Sequence, residues 1–301
     1  MPSRKEFRPK GVFVGLVTID LIYTVEDLPQ SDEKLSVAGQ LVSAGGPATN
    51  AAVTFAALGG RAELVTAVGS HPMATPIRND LRWHSVRVHD LARSRQEIPP
   101  ISSIMVVRGS GARAVVSANA VVFAHALGEF APAWLEDAAI LLVDGHYMRI
   151  AIAAARLARE RRIPVVMDSG SWKEGMAELL PLVDIAICSD DYRPPECRDT
   201  QDVIEFLRAR NIRQVAITSG GSPIRLLDHG RRGRVAVEAM RPVDTLGAGD
   251  ILHGAFCWYA CQPGVSFRDA LVRAARVASY SCQFRGTRQW IEAFRLAKAR
   301  P

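Results

Sequence analysis

The sequence has no run of about 18 apolar residues, so no segment reads as a membrane-spanning helix. The N-terminal "MPSRKEFRPK" is basic, but no apolar stretch of signal-peptide form follows it, and residues 1–10 read as an arm before the first strand. Cysteine is scarce, with five residues (Cys188, Cys197, Cys257, Cys261 and Cys282), an odd and scattered set. Cys257 and Cys261 are four apart, yet no His or second Cys pair completes a zinc site. Reduced core thiols of a cytoplasmic protein are the expectation, and no protein-held metal is expected. Aromatics make up 7% of the chain. No basic run interleaves with them, so neither a nucleic-acid nor a membrane partner is expected. Lysine is nearly absent. Almost all of the cationic charge is arginine, at a net charge of +6. That balance suits either an anion-binding surface or arginine-rich solvated faces.

What is present suits one large α/β domain: 301 residues, 48% of them hydrophobic. "GVFVGLV" (11–17), "RAELVTAVG", "AAILLVDG" (138–145), "IPVVMD", "DIAIC" and "RQVAITSG" read as strands. "GPATNAAVTFAALGG" (46–60) reads as a helix with Pro47 in its first turn and Gly59–Gly60 as its stop. "MRIAIAAARLARERR" and "QDVIEFLRARN" show helical periodicity. Short continuous apolar strands alternating with helices mark a parallel sheet covered on both faces, with ligands beyond the carboxyl ends of its strands. Residues 18–43 and 101–118 break the alternation. They read as hairpin material for a small separate sheet, the second with a turn at "RGSG" (108–111). Another hairpin is expected within 224–240.

The stretch "RPVDTLGAGDILHGAF" (241–256) carries the chemistry. Ile251, Leu252, Ala255 and Phe256 fall at helical spacing, so a helix starts near Gly249–Asp250. Gly247, Ala248 and Gly249 leave its first-turn N–H groups uncovered, and with the helix dipole these form an anion cradle. As a bystander, Asp250 would repel a bound phosphate. It suits a base that takes the proton of a hydroxyl attacking phosphorus, where late proton loss makes a modestly basic carboxylate sufficient. An ordinary helix start with an acidic first-turn residue looks the same locally. However, six fixed positions of Asp-Thr-x-Gly-Ala-Gly-Asp arise by chance in roughly 10⁻⁵ of such chains, at about 7% per residue. A Rossmann reading of these glycines fails, because the turn lies late and no Gly-x-Gly-x-x-Gly follows the first strand.

Asp-Thr-x-Gly-Ala-Gly-Asp resembles the C-terminal signature of the ribokinase-like, or PfkB, carbohydrate kinases, and the resemblance runs over nearly the whole chain. "VGLVTID" resembles that family's first strand and substrate-binding Asp, here Asp20. "AGGPATNAA" resembles its Gly-Gly-x-x-x-Asn segment, here Gly45, Gly46 and Asn50. "AITSGG" resembles its Thr-x-Gly stretch beside the nucleotide, here Thr218 and Gly220. Residues 279–289, "SYSCQFRGTRQ", resemble its adenine-side loop, with Gly286 as the backbone contact. The resemblance implies a ribokinase-like three-layer αβα sandwich with a central, mostly parallel sheet. The kinase domain would span 11–301, with a small β-sheet lid from about 18–43 and 101–118. It implies an ATP- and Mg²⁺-dependent kinase acting on a primary hydroxyl of a sugar or sugar derivative. Asp250 would be the base, and Gly247, Ala248 and Gly249 the anion hole. Asp20, Gly45, Gly46 and Asn50 would hold the acceptor. Thr218, Gly220, Thr245, Gly247, Gly249 and Gly286 would lie along the nucleotide. Some relatives bind K⁺ near the signature, which would place one by the backbone around Asp244. By residue type, Asp20 and Asn50 suit polyol recognition and paired glycines suit close approach to a ring. The same residues also suit a turn, a helix cap and a chain reversal.

The sequence departs from the family pattern at three places. "VGSHPMATPIRND" stands where many members carry Gly-Asp-Asp, with Gly69 followed by Ser70 and His71, and two prolines are expected to break the helix there. "CSDDYRPPE" stands at the Asn-x-x-Glu position, with Asp190 or Asp191 as the substitute carboxylate for a water-mediated Mg²⁺ contact. Pro223 replaces a frequent glycine. Two other functions compete with the sugar kinase: a nucleoside kinase of the same fold, and a non-catalytic, regulatory sugar-binding relative. Tyr23 is the lone aromatic of the two lid segments, which favours a sugar over a base. Arg108, Arg113 and Arg149 are the candidate contacts for a phosphorylated acceptor. The lid's open edges and apolar face point to a homodimer with lid against lid.

Overall fold

The computed structural model describes residues 8–299 apart from 38, 110, 111 and 124–126. Residues 1–7 of the expected arm, and two residues of the expected 108–111 turn, lie outside the described residues. Lys10, assigned to the arm, already opens the first strand.

In chain order the strands are β1 (Lys10–Val14), β2 (Thr18–Val25), β3 (Gln40–Gly45), β4 (Arg61–Thr66), β5 (Val86–Asp90), β6 (Ile101–Val107) and β7 (Arg113–Ser117). They continue as β8 (Ala138–Val143), β9 (Val165–Ser169), β10 (Ile185–Ser189), β11 (Gln214–Ser219), β12 (Ser222–Asp228) and β13 (Arg231–Val235). The helices are α1 (Pro47–Ala57), α2 (Thr75–Trp83), α3 (Met148–Glu160), α4 (Met176–Leu179), α5 (Thr200–Arg208), α6 (Ala248–Ala260), α7 (Phe267–Ser281) and α8 (Gln289–Ala299).

Nine strands form the main sheet in the order β13-β12-β11-β10-β9-β8-β1-β4-β5. From β11 to β5 every pairing is parallel, and β12 and β13 add an antiparallel edge. The expected 224–240 hairpin is that edge, and it ends at Val235. Alternate strand residues enter two separate cores. Phe13, Leu64, Leu142 and Ile187 pack with α1, α2, α6 and α7, while Val12, Val65, Leu141 and Cys188 pack with α3, α4 and α5. The strands read as continuous apolar runs because both faces are covered.

Residues 18–43 and 101–118 form the small second sheet, ordered β3-β2-β6-β7. The β2–β6 pair is parallel and the outer pairs are antiparallel. Its inner face is set by register: Asp20 lies opposite Ser43 and Ser102, Ile22 opposite Leu41 and Ile104. Ile22, Ile104 and Val106 are buried there against Leu41 and Leu246. Leu21, Tyr23, Val42, Met105 and Val116 alternate to the outer face. The two prolines near 70–76 do not break a helix. Pro72 sits in a short 3₁₀ turn and Pro76 in the first turn of α2, where a missing N–H costs nothing. Among the described residues, no helix is long and apolar enough to cross a membrane.

Candidate active site

α6 begins at Ala248, and its N-cap Gly247 has φ 68°, a left-handed conformation that an L side chain strains to adopt. A Cβ at 247 would also sit 2.6 Å from Thr287 Cγ2. No side chain caps the helix; the Ala248 N–H turns back to Thr245 O (3.3 Å), and a Cβ at the exposed Gly249 would meet nothing within 4 Å. The space above Gly249 is therefore open.

Asp250 lies in that first turn, partly buried. Asn50, from α1, donates Nδ2 to Asp250 Oδ2 at 2.7 Å, across 200 residues of sequence. The two meet because α1 and α6 cross closely: a Cβ at Gly254, one turn beyond Asp250, would lie 2.2 Å from Ala51 O. Asn50 is thus not a helix cap but the fourth residue of α1, aimed across the crossing. Burial and the neighbouring carboxylate of Asp168 push Asp250 up to about 6, against the lowering effect of the Asn50 hydrogen bond. It is ionised at neutral pH yet far more basic than a surface Asp.

Asp20 is in strand β2 rather than in a turn, with its carboxylate on the inner face of the lid sheet. Thr18 Oγ1 donates to its Oδ1 at 2.6 Å. Burial raises its pKa, and the nearby Asp250 charge adds to this. A Cβ at Gly45 would lie 2.0 Å from that carboxylate, so glycine there leaves Asp20 its place. Gly46 caps α1 at φ 99°. Asp20, Gly45, Gly46, Asn50 and Asp250 thus converge on one corner between lid and main sheet.

Beneath this corner stand residues that the motifs did not disclose. Asp144, after β8, accepts from the backbone N–H of Leu16 (2.9 Å), Ala48 (3.2 Å) and His146 (3.0 Å), tying the starts of the lid and α1 to the sheet. Asp168, in β9, is buried with its Oδ2 3.4 Å from His253 Nδ1 and no hydrogen bond to that oxygen. The two ring nitrogens of His253 face the carbonyls of Gly249 (2.7 Å) and Ile187 (3.0 Å). Arg288, 13% exposed in its side chain, reaches Asn50, Ala44 and Asp80. In a chain so rich in arginine, nothing in spacing separates Arg288 from the rest.

The residues assigned to the nucleotide line the carboxyl edge of the sheet and the signature turn. Thr218, the penultimate residue of β11, sets its Oγ1 on Cys188 O (3.3 Å), and Gly220, at φ 50°, turns β11 into β12. Thr245 is gripped by a lid arginine: Arg113 Nη1 donates to its carbonyl (3.2 Å) and Oγ1 (3.0 Å). Gly286 donates its N–H to Asp244 Oδ2 at 2.8 Å, bracing the signature, and packs under Leu41 and Ile22 of the lid. Asp244 also accepts from Leu246 N (2.8 Å), so its carboxylate is spent on shaping the turn.

Of the other candidate arginines, Arg108 pairs with Glu26 (2.6 Å) and Arg149 donates to Leu127 O (2.9 Å), so both are occupied elsewhere. His71 accepts from Met73 N (3.2 Å) and caps the 3₁₀ turn, while Ser70 is held to Arg95 O. Asp190 accepts from Ser219 Oγ, and Asp191 is exposed beside Ser189. Among the described residues, no group of three or more His, Cys, Asp or Glu is placed to hold a metal ion. The five cysteines are unpaired.

Comparison with known proteins gives this arrangement a family. The model of the pfkB family carbohydrate kinases matches residues 8–293. Mouse ribokinase is 24% identical over 302 residues, covering 95% of this chain and 93% of its own. Mouse ketohexokinase is 22% identical, covering 91% and 96%. The solved structure of Arabidopsis thaliana ribokinase, complexed with ribose and ATP, superposes with a TM-score of 0.73 at 22% identity, covering 93% of this chain and 94% of that one. The chain belongs to the pfkB family of carbohydrate kinases, phosphotransferases whose acceptor is an alcohol group.

Proposed function

We propose that this protein transfers the γ-phosphate of ATP to a primary hydroxyl of a sugar or sugar derivative, with Asp250 as the base. The observation that carries this reading is the pairing of Asp250 with Asn50 at 2.7 Å, directly beside the uncapped first turn of α6. A carboxylate there, raised to about 6, is ionised at neutral pH and basic enough to take the acceptor's proton as the P–O bond forms. The turn of Gly247, Ala248 and Gly249 would offer its backbone N–H groups to the transferring phosphoryl oxygens, with Ala248 giving up its 3.3 Å bond to Thr245 O. Asp20 and Asn50 orient the acceptor, and Gly45–Gly46 let the backbone approach it. Thr218, Gly220 and Thr245 lie along the nucleotide, and Gly286 supports it from behind through Asp244.

Mg²⁺, bound with ATP, neutralises phosphate charge. The residues here fit water-mediated contact with such an ion, through exposed Asp191 at the end of β10, rather than a protein-built cage. The described inner face of the lid bears Ser43, Ser102, Ser117, Ile22, Ile104 and Val115, while Tyr23 points outward. A face of small hydroxyls and aliphatics suits a sugar better than a stacked base. The outer face exposes Val42 (49%) and Val116 (69%), and a second copy of the lid would cover it in a homodimer. A coupled ADP-release assay over a panel of sugars and nucleosides tests the reading. Sugar-dependent turnover that falls at least 10²-fold in Asp250→Asn is expected. Nucleoside-dependent turnover, or ligand-induced stabilisation with no turnover, would replace it with one of the two competing functions.

A further inference from the structure

Arg288 stands directly before α8, and its guanidinium is spent almost entirely inside the protein. Nε donates to Asp80 Oδ2 (3.1 Å) and Nη2 to Ala44 O (2.6 Å), while Nη1 donates to Asn50 Oδ1 and Thr287 Oγ1, each at 2.9 Å. A planar fork can serve several acceptors in fixed directions, which an ammonium cannot. Little donor capacity is left for a bound anion.

Two parts of the acceptor corner hang on this fork. A guanidinium only donates, so Asn50 must turn its oxygen toward Arg288 and its Nδ2 toward Asp250. Reversed in place, the amide would set its oxygen against the Asp250 carboxylate. Ala44, the residue before Gly45–Gly46, gives its N–H to Asp80 Oδ2 (3.2 Å) and its carbonyl to Arg288. The Arg288–Asp80 ion pair therefore clamps that strand end from both sides. His84 lies 3.6 Å from Asp80 but is pushed down to about 4 by burial and by the charge of Arg288, leaving Arg288 as its cationic partner at neutral pH.

We infer that Arg288 is a positioning residue for phosphoryl transfer: through the Asn50 amide it holds the Asp250 carboxylate in its reacting orientation, and through Asp80 it sets the Gly45–Gly46 corner. The inference rests on the reading of Asp250 as the base. The groups facing Asp250 are Asp168 on β9, Asp144 and His146 after β8, His253 on α6, Asn50 on α1 and Asp20 on β2. Asn50 and His253 favour its ionised form, whereas Asp168 and Asp144 oppose it. Loosening Asn50 therefore moves the acid limb of the rate profile to higher pH.

The test is a double-mutant cycle of Arg288→Lys and Asn50→Ala, with Asp250→Asn measured beside it. ATP turnover is followed from pH 5 to 9 with D-ribose or D-fructose, whichever reacts faster. Arg288→Lys is expected to lower kcat at least 10-fold, raise the sugar KM and shift the acid limb upward, with the ATP KM unchanged. The double variant is expected to be no more than about threefold slower than Asn50→Ala alone, because one route carries both effects. Losses that multiply, or a lower Tm with wild-type kcat and acid limb, would overturn the inference. Should Arg288→Lys not fold, Asp80→Asn replaces it in the cycle with the same expectations. Should neither sugar react, the pH at which the stabilisation by Asp250→Asn stops growing, which marks the folded-state titration of Asp250, reads the same coupling. It must be higher in the Arg288→Lys background than in the wild type, and an unchanged value sinks the inference. Near-normal kcat in Asp250→Asn would instead remove the base reading itself.

Discussion

Replacing Asp250 by Asn should make this protein more stable at the pH where it works. Burial and Asp168 lift the Asp250 carboxyl from 3.8 to about 6. At about 1.36 kcal/mol per pK unit, the ionised side chain then costs the folded state on the order of 3 kcal/mol relative to the unfolded chain. The sign follows from linkage. Below 3.8 the group is protonated folded and unfolded, and no cost applies. Between 3.8 and about 6 the folded state binds a proton that the unfolded state has lost, and stability falls as pH rises. Above about 6 the full cost is present. Asn carries no charge and can still accept the Asn50 hydrogen bond, so the variant escapes the cost. Thermal unfolding at pH 8, 6.5, 5 and 4 is the assay. For a domain of this size each kcal/mol is worth roughly 2 °C, so a rise of several degrees is expected at pH 8, shrinking to nothing near pH 4. No gain at pH 8, or an equal gain at every pH, would refute the claim that the Asp250 carboxylate stores this energy.

Gly249→Val tests the cradle without disturbing the fold. A Cβ there meets nothing within 4 Å, so Tm should hold within about 1 °C while kcat/KM for ATP falls at least 10²-fold. Unchanged kinetics would move the phosphate elsewhere. Gly254→Ala forces a Cβ to 2.2 Å from Ala51 O, so α1 and α6 must part. A loss of about 2 kcal/mol or more in urea unfolding, together with a drop in kcat, is expected. Val42→Asp with Val116→Asp places charge on the outer lid face. Light scattering at micromolar concentration should show a dimer for the wild type and a monomer for this variant, and a wild-type monomer would end the dimer proposal.

The local half of this protein is legible in its sequence. Continuous apolar strands such as "GVFV", alternating with helices, dictate a sheet covered on both faces, because nothing else buries both sides of a strand. The lid segments declare themselves by interrupting that alternation. Gly247, Ala248 and Gly249 before a helical run dictate an open first turn, since small residues, and no capping side chain, stand there. The tertiary half needed the fold. Asn50 looks like a helix cap until α1 crosses α6 and sets it 2.7 Å from Asp250. Pro76, which breaks a helix when met in mid-pattern, starts one once the chain has turned before it. That Gly286 gives its N–H to Asp244 is invisible in spacing, and Arg288 is one arginine among many until the segment before α8 folds back beneath Asn50. Spacing along a chain fixes what is near within a helix or strand, but contacts across some 200 residues depend on the packing of whole elements, and there the site was decided.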